Sequence, residues 1–136
     1  MDGYPFVTEI PMRFSDIDAM GHVNNAVYVT YFEMGRVAVL DRIVGSRKLE
    51  DIKFVVARVE VDYLRPILFA DKVEIGLRVS SIGNSSFTIE YMITANGAPA
   101  AKGLTVQVFY DYEKGSKMAV PDDFKTRVAP FLSKAS

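Results

Sequence analysis

The chain contains no cysteine among its 136 residues, which excludes disulfides, thiolate nucleophiles and cysteine-ligated metals. Its single histidine, His22, rules out a metal centre built on several imidazoles. No uninterrupted apolar run approaches the roughly 20 residues of a bilayer-spanning helix. The opening Met1-Asp2-Gly3-Tyr4-Pro5 lacks the basic region and apolar stretch of a secretory signal, and the missing cysteine fits a reducing compartment. Neither sign of charge dominates. Sixteen Lys and Arg stand against 17 Asp and Glu, scattered along the chain, whereas nucleic-acid binding needs a clustered basic surface. The expectation is a soluble cytoplasmic protein with neither nucleic acid nor membrane as partner. Ready-made catalytic sets are missing too. The nearest approach to a Gly-x-Ser-x-Gly elbow, Gly83-Asn84-Ser85-Ser86-Phe87, lacks the second glycine, and no glycine-rich phosphate loop is present. Hydrolytic chemistry is left to carboxylates, one histidine and backbone donors.

Hydrophobic residues make up 49% and charged residues 24%, enough for a core without staples and consistent with one domain over 1–136. Phe6 to Phe14 alternates as a strand, with Pro11 suited to an edge or a bend. A polar stretch from Ser15 to Asn24 follows as a loop. Residues 25–44 read as one helix, with Asn24 a plausible N-cap and Gly45 a stop. Apolar residues cover most of its circumference at about 100° per residue, so it must be enclosed on most sides. Four strand-like runs come next, about 52–64, 72–81, 86–95 and 100–112. The last two are joined by Asn96-Gly97, whose residues accept the positive φ angles of a tight hairpin. Pro121 to Ala129 suggests a short helix ended by Pro130. Strand, long helix and antiparallel meander make an α+β fold, one curved sheet wrapped around one helix.

Possible chemistry concentrates in the loop. Asp16 and Asp18 flank Ile17, and Gly21-His22-Val23-Asn24-Asn25 runs straight into the helix. A helix start offers unpaired N–H groups and the positive end of the macrodipole, suitable donors to the oxyanion formed when a thioester carbonyl is attacked. A carboxylate beside it can deprotonate water or attack the carbonyl itself. The plain alternative is that Asp, Gly and Asn here are ordinary turn and cap residues and that His22 is a structural hydrogen-bonder.

The segment Asp16-Ile17-Asp18-Ala19-Met20-Gly21-His22-Val23-Asn24-Asn25-Ala26-Val27-Tyr28 resembles the signature of the hotdog thioesterases related to 4-hydroxybenzoyl-CoA thioesterase. It is most similar to the branch carrying Asp-x-x-Gly-His-Val-Asn-Asn, which includes bacterial long-chain acyl-CoA thioesterases. The likeness continues through Val59-Glu60-Val61-Asp62-Tyr63-Leu64-Arg65-Pro66, Ala70-Asp71-Lys72-Val73 and Gly83 to Phe87, and ends near Val120-Pro121. What it implies is a hotdog fold and an acyl-CoA thioesterase that needs no cofactor, coenzyme A entering only as part of the substrate. The resemblance puts the catalytic carboxylate at Asp18 and the oxyanion donor at the backbone N–H near Asn25, and leaves open whether the acid is nucleophile or base. Asp16 is then structural, while His22 and Asn24 lie near the thioester or order the loop.

The family threads pantetheine along a dimer interface, which implies a homodimer or homotetramer. Its strand wall corresponds to Arg58 to Tyr63, with Arg58, Val59 and Glu60 as substrate contacts, and its turn near the CoA phosphates to Gly83 to Ser86, with Ser85 and Ser86 as contacts. That turn is neutral in this chain, so phosphate contacts fall to backbone amides, Arg58 or Arg65; for Arg65 a solvated strand-end charge is the plainer reading. Tyr28, Tyr31 and Phe32 are candidates for an acyl pocket or, more simply, for the core. Two other functions fit the same fold. A hydratase or dehydratase uses an acid and a histidine in a different spacing. An acyl-CoA sensor needs no poised carboxylate and usually accompanies a DNA-binding segment.

Overall fold

Asn96 and Gly97 take φ angles of 51° and 83°, and around them the chain folds back with Ala95 facing Ala98. The expected two-residue hairpin forms, because neither residue pays the full steric penalty of the left-handed region. The computed structural model of the protein describes residues 1–133. Its strands are β1 (Phe6–Ile10), β2 (Phe54–Tyr63), β3 (Val73–Ile82), β4 (Ser86–Ala95), β5 (Ala98–Asp111) and β6 (Ser116–Lys117), and its helices α1 (Val27–Val44) and α2 (Asp122–Val128). The sheet runs β1-β3-β4-β5-β2, with β6 paired to β5, and every pairing is antiparallel.

Alternation along β3 and β4 decides which face holds the helix. Val73, Ile75, Leu77 and Val79 face Ala95, Ile93, Tyr91 and Ile89 across the ladder, and all eight are buried. Tyr28, Tyr31, Phe32, Gly35, Val39 and Ile43 of α1 complete this core. Tyr31 and Phe32 are both 0% exposed, and Phe32 stacks on Tyr91 with ring centroids 4.3 Å apart, so these two belong to the core. The expected enclosure of α1 on most sides is not reached within one chain. The sheet covers one face only, and Val29 and Val37 stay 37% and 47% exposed.

Several element ends move from their sequence positions. β1 stops at Ile10 because Pro11 cannot continue the ladder, and Phe14–Asp16 is a 3-10 turn instead. α1 starts two residues later than expected, with Ala26 at the N-cap. Asn24 takes the Ala26 N–H on its side-chain oxygen at 2.9 Å, an Asx-turn that leads into the helix and does not cap it. Gly45 ends the helix in the left-handed conformation, its N–H bonded to the Asp41 carbonyl. Pro130 is no stop, since it sits inside a 3-10 turn, Ala129–Phe131, that prolongs α2. Its missing N–H costs nothing in a first turn.

Gly103 faces Val61 and Tyr91 on neighbouring strands. A methyl group there would run into the Glu60 carbonyl and come within 2.7 Å of the Phe32 ring. Gly103→Ala is therefore expected to destabilise the fold by about 1–3 kcal/mol through overpacking, read as a lower urea midpoint at unchanged slope.

Candidate active site

The loop before α1 is closed on itself. The Asp18 N–H donates to the His22 carbonyl (2.8 Å), the Gly21 N–H to the Asp18 carbonyl (3.0 Å) and the Asn24 N–H to the Asp16 carbonyl (2.9 Å). Gly21 has a φ of 82°, the left-handed value such a reversal requires and glycine supplies most cheaply. His22 pairs with Leu68, and the Val23 N–H donates to the Ile67 carbonyl at 2.8 Å, so the chain after β2 braces the loop from outside.

The two acids of the loop occupy opposite environments. Asp16 is 1% exposed. Its Oδ1 accepts from Arg13 Nε (3.1 Å) and Nη2 (2.9 Å), and its Oδ2 from the Arg13 N–H (3.0 Å) and the Tyr31 hydroxyl (2.9 Å). Burial alone would raise its pKa, but these hydrogen bonds outweigh it and hold the carboxyl below its ordinary 3.8. Tyr31 shows the converse: burial, then its bond to the Asp16 carboxylate, pushes its pKa upward. Asp16 is thus a structural carboxylate.

Asp18 is half-buried. Its Oδ1 accepts the N–H groups of Met20 (2.9 Å) and His22 (3.3 Å), while no donor reaches Oδ2 among the described residues. Beside it opens a cleft of about 310 Å³, lined by Met20, His22, Asn25, Tyr28, Tyr63, Leu64 and Arg65 among others.

At the start of α1 one backbone N–H is left over. The Val27 N–H bonds to the Asn24 carbonyl at 2.9 Å, and the Ala26 N–H to the Asn24 side chain. The Asn25 N–H has no acceptor among the described residues. It shares a trans peptide plane with the Asn24 carbonyl and so points the opposite way, out of the helix start. Asp18 and Asn25, which carry the carboxylate oxygen and the backbone N–H left without partners among the described residues, line the same cleft.

Of the other residues singled out from sequence, Tyr28 lines this cleft and is 1% exposed; burial raises its pKa. Asn24 is spent on the turn and does not line it. Arg58 and Glu60 pair with each other on the face of β2 opposite Val59, Val61 and Tyr63, and so turn away from the helix. Ser86 begins β4 and Ser85 ends the turn before it, seven and eight residues from Ile93, which shares a row with Ala101 and Tyr63. At about 3.4 Å per residue they lie roughly 24 Å along the sheet from the cleft. Tyr63, Leu64 and Arg65 of the cleft wall stand 45 to 47 residues from Asp18 in sequence, and no local pattern links the two segments.

Residues 12–128 match the model of the thioesterase-like superfamily, and the chain belongs to that family. A thioesterase of Thermus thermophilus, crystallised with coenzyme A and zinc, is 42% identical over 100% of both chains, with a TM-score of 0.88. A 1,4-dihydroxy-2-naphthoyl-CoA hydrolase of Nostoc punctiforme is 30% identical over 82% of this chain and 78% of its own. The long-chain acyl-CoA thioesterase FadM of Escherichia coli is 25% identical over 89% and 95%. The fold is the hotdog fold, and the protein is a thioester hydrolase. Among the described residues no three His, Cys, Asp or Glu side chains stand together to hold a metal ion.

The lowered pKa of Asp16 has a consequence for stability. A carboxyl with a depressed folded pKa stabilises the fold above its unfolded value and loses that contribution as pH falls through the folded one. Stability is expected to decline below about pH 3.8. Asp16→Asn should cost about 1–3 kcal/mol at neutral pH by weakening this buried network and flatten that acid-side decline, measured by urea unfolding at several pH values.

Proposed function

We propose that the protein hydrolyses acyl-CoA thioesters at the cleft between Asp18 and the start of α1. The observation that carries this is the pairing of a half-engaged carboxylate with an unengaged helix-start N–H. Asp18 Oδ1 is spent on two loop amides, which fixes the group and leaves Oδ2 to act. Oδ2 either takes a proton from the attacking water or attacks the thioester carbon, and both routes pass through a tetrahedral oxyanion. The Asn25 N–H, backed by the positive end of α1, donates to that oxyanion. The carbon–sulfur bond then breaks. In the water route the acid forms directly, and the proton taken by Asp18 passes to the departing thiolate. In the nucleophilic route the thiolate leaves first, and a water hydrolyses the mixed anhydride, regenerating Asp18, releasing the acid and protonating the thiolate. His22 orders the loop through its main chain and borders the cleft.

The complete site takes a second chain. β2 is a ten-residue edge strand with Val55, Val56, Val59 and Tyr63 each 37–46% exposed, an arrangement that invites edge pairing. Pairing two copies of β2 about a two-fold axis is antiparallel. It brings the copy's 83–86 turn to the Asp18 end of this sheet, which supports a role for Ser85 and Ser86 across the interface. Val59 and the exposed side of α1 then wall the pantetheine channel, and Arg65 at the cleft mouth is the nearer cation for phosphate.

The test is thiol release from acetyl-, decanoyl-, palmitoyl- and benzoyl-CoA by the wild type and Asp18→Asn. Wild type should release thiol from at least one, and the variant should lose about 10²–10⁴-fold in kcat. Thiol release undiminished in Asp18→Asn, or water addition to an enoyl-CoA without thiol release, would refute this reading. Sedimentation should give a mass at least twice the 15.2 kDa of one chain; a monomer that keeps full activity would exclude the shared site.

A further inference from the structure

We infer that Tyr63 is a positioning residue for the oxyanion donor, an inference that rests on the role of the Asn25 N–H proposed above. The Tyr63 hydroxyl donates to the Asn25 carbonyl at 2.7 Å, bridging the end of β2 and the start of α1 over 38 residues of sequence. Its ring packs edge-on against Tyr28, centroids 4.9 Å apart at 89°. Tyr28 is itself 1% exposed, so the hydroxyl is aimed by a fixed neighbour.

Asn25 sits between two peptide planes, the first held from one side and the second from both. The plane before it carries the Asn24 carbonyl, bonded by the Val27 N–H, and the free Asn25 N–H. The plane after it carries the Ala26 N–H, bonded to the Asn24 side chain, and the Asn25 carbonyl, bonded by Tyr63. Three of these four groups are tied, and the fourth is the one left for substrate. Of the three ties, two are local to residues 24–27; only Tyr63 refers this turn to the sheet. Without it the first turn of α1 keeps its shape but loses its fixed distance from the cleft wall. Misplacement by about 1 Å costs up to roughly 10²-fold in a pre-aligned site.

The hydroxyl bonds a carbonyl of the protein and not the substrate, so its loss should act on the transition state alone. Tyr63→Phe removes one atom from a ring 46% exposed and keeps the packing on Tyr28. On the best wild-type substrate of the four acyl-CoAs above, kcat should fall about 10- to 100-fold while KM stays within about 3-fold. The 13C resonance of a labelled Asn25 carbonyl should move upfield, reporting loss of the bond itself. A kcat within about 2-fold of wild type, with Asp18→Asn still inactive, would overturn the role of Tyr63 and leave the hydrolase reading standing. A raised KM at unchanged kcat would also overturn it, marking the hydroxyl as a substrate contact. If the wild type releases no thiol from any of the four, both readings fall together.

Discussion

A buried carboxylate holds a half-buried one in place. Asp16 receives four hydrogen bonds from Arg13 and Tyr31, and its carbonyl receives the Asn24 N–H. Through Tyr31 it is pinned to the core-facing side of α1; through Asn24 it closes the loop at the point where the helix begins. Asp18, two residues on, inherits a fixed position without being buried itself. The Arg13 guanidinium is largely solvated, so its charge is partly screened, and the hydrogen bonds, more than Coulombic attraction, account for the low pKa of Asp16. One side-chain chemistry thus serves as anchor in one setting and, in the proposed hydrolysis, as reagent in the next, the environment making the difference.

The same geometry explains why a single chain looks unfinished. The sheet buries one side of α1 and leaves valines exposed on the other, and β2 has a ladder on one edge only. Residues in one motif point to opposite faces: Val59 and Tyr63 toward the helix, Arg58 and Glu60 away. A strand with period two cannot offer all its residues to one ligand. A wall formed by β2 is therefore made by alternate residues or by two copies of the strand.

Much of this was legible from sequence where the signal is local. Asn96-Gly97 gave its hairpin, β4 has the bounds its alternation implies, and Gly45 ends α1. Asp18 and the helix start were singled out by residue types within ten positions, and the distinction between Asp16 and Asp18 rested on family resemblance. What the sequence did not reveal follows from distance or from competing local bonds. Asn24 has the composition of an N-cap, but an Asx-turn satisfies it first. β6, two residues long, has too little pattern to detect. Tyr63 stands in a motif whose role as strand wall was visible, yet its bond to Asn25 depends on where the sheet carries it.

The most direct test of the account is the structure of the protein bound to an acyl-CoA analogue in which a methylene replaces the thioester sulfur. The ketone oxygen should lie within about 3 Å of the Asn25 nitrogen, with Asp18 Oδ2 facing the carbonyl carbon directly or through one water. An analogue whose carbonyl sits away from the start of α1, with Asp18 outside reach of it, would contradict the assignment.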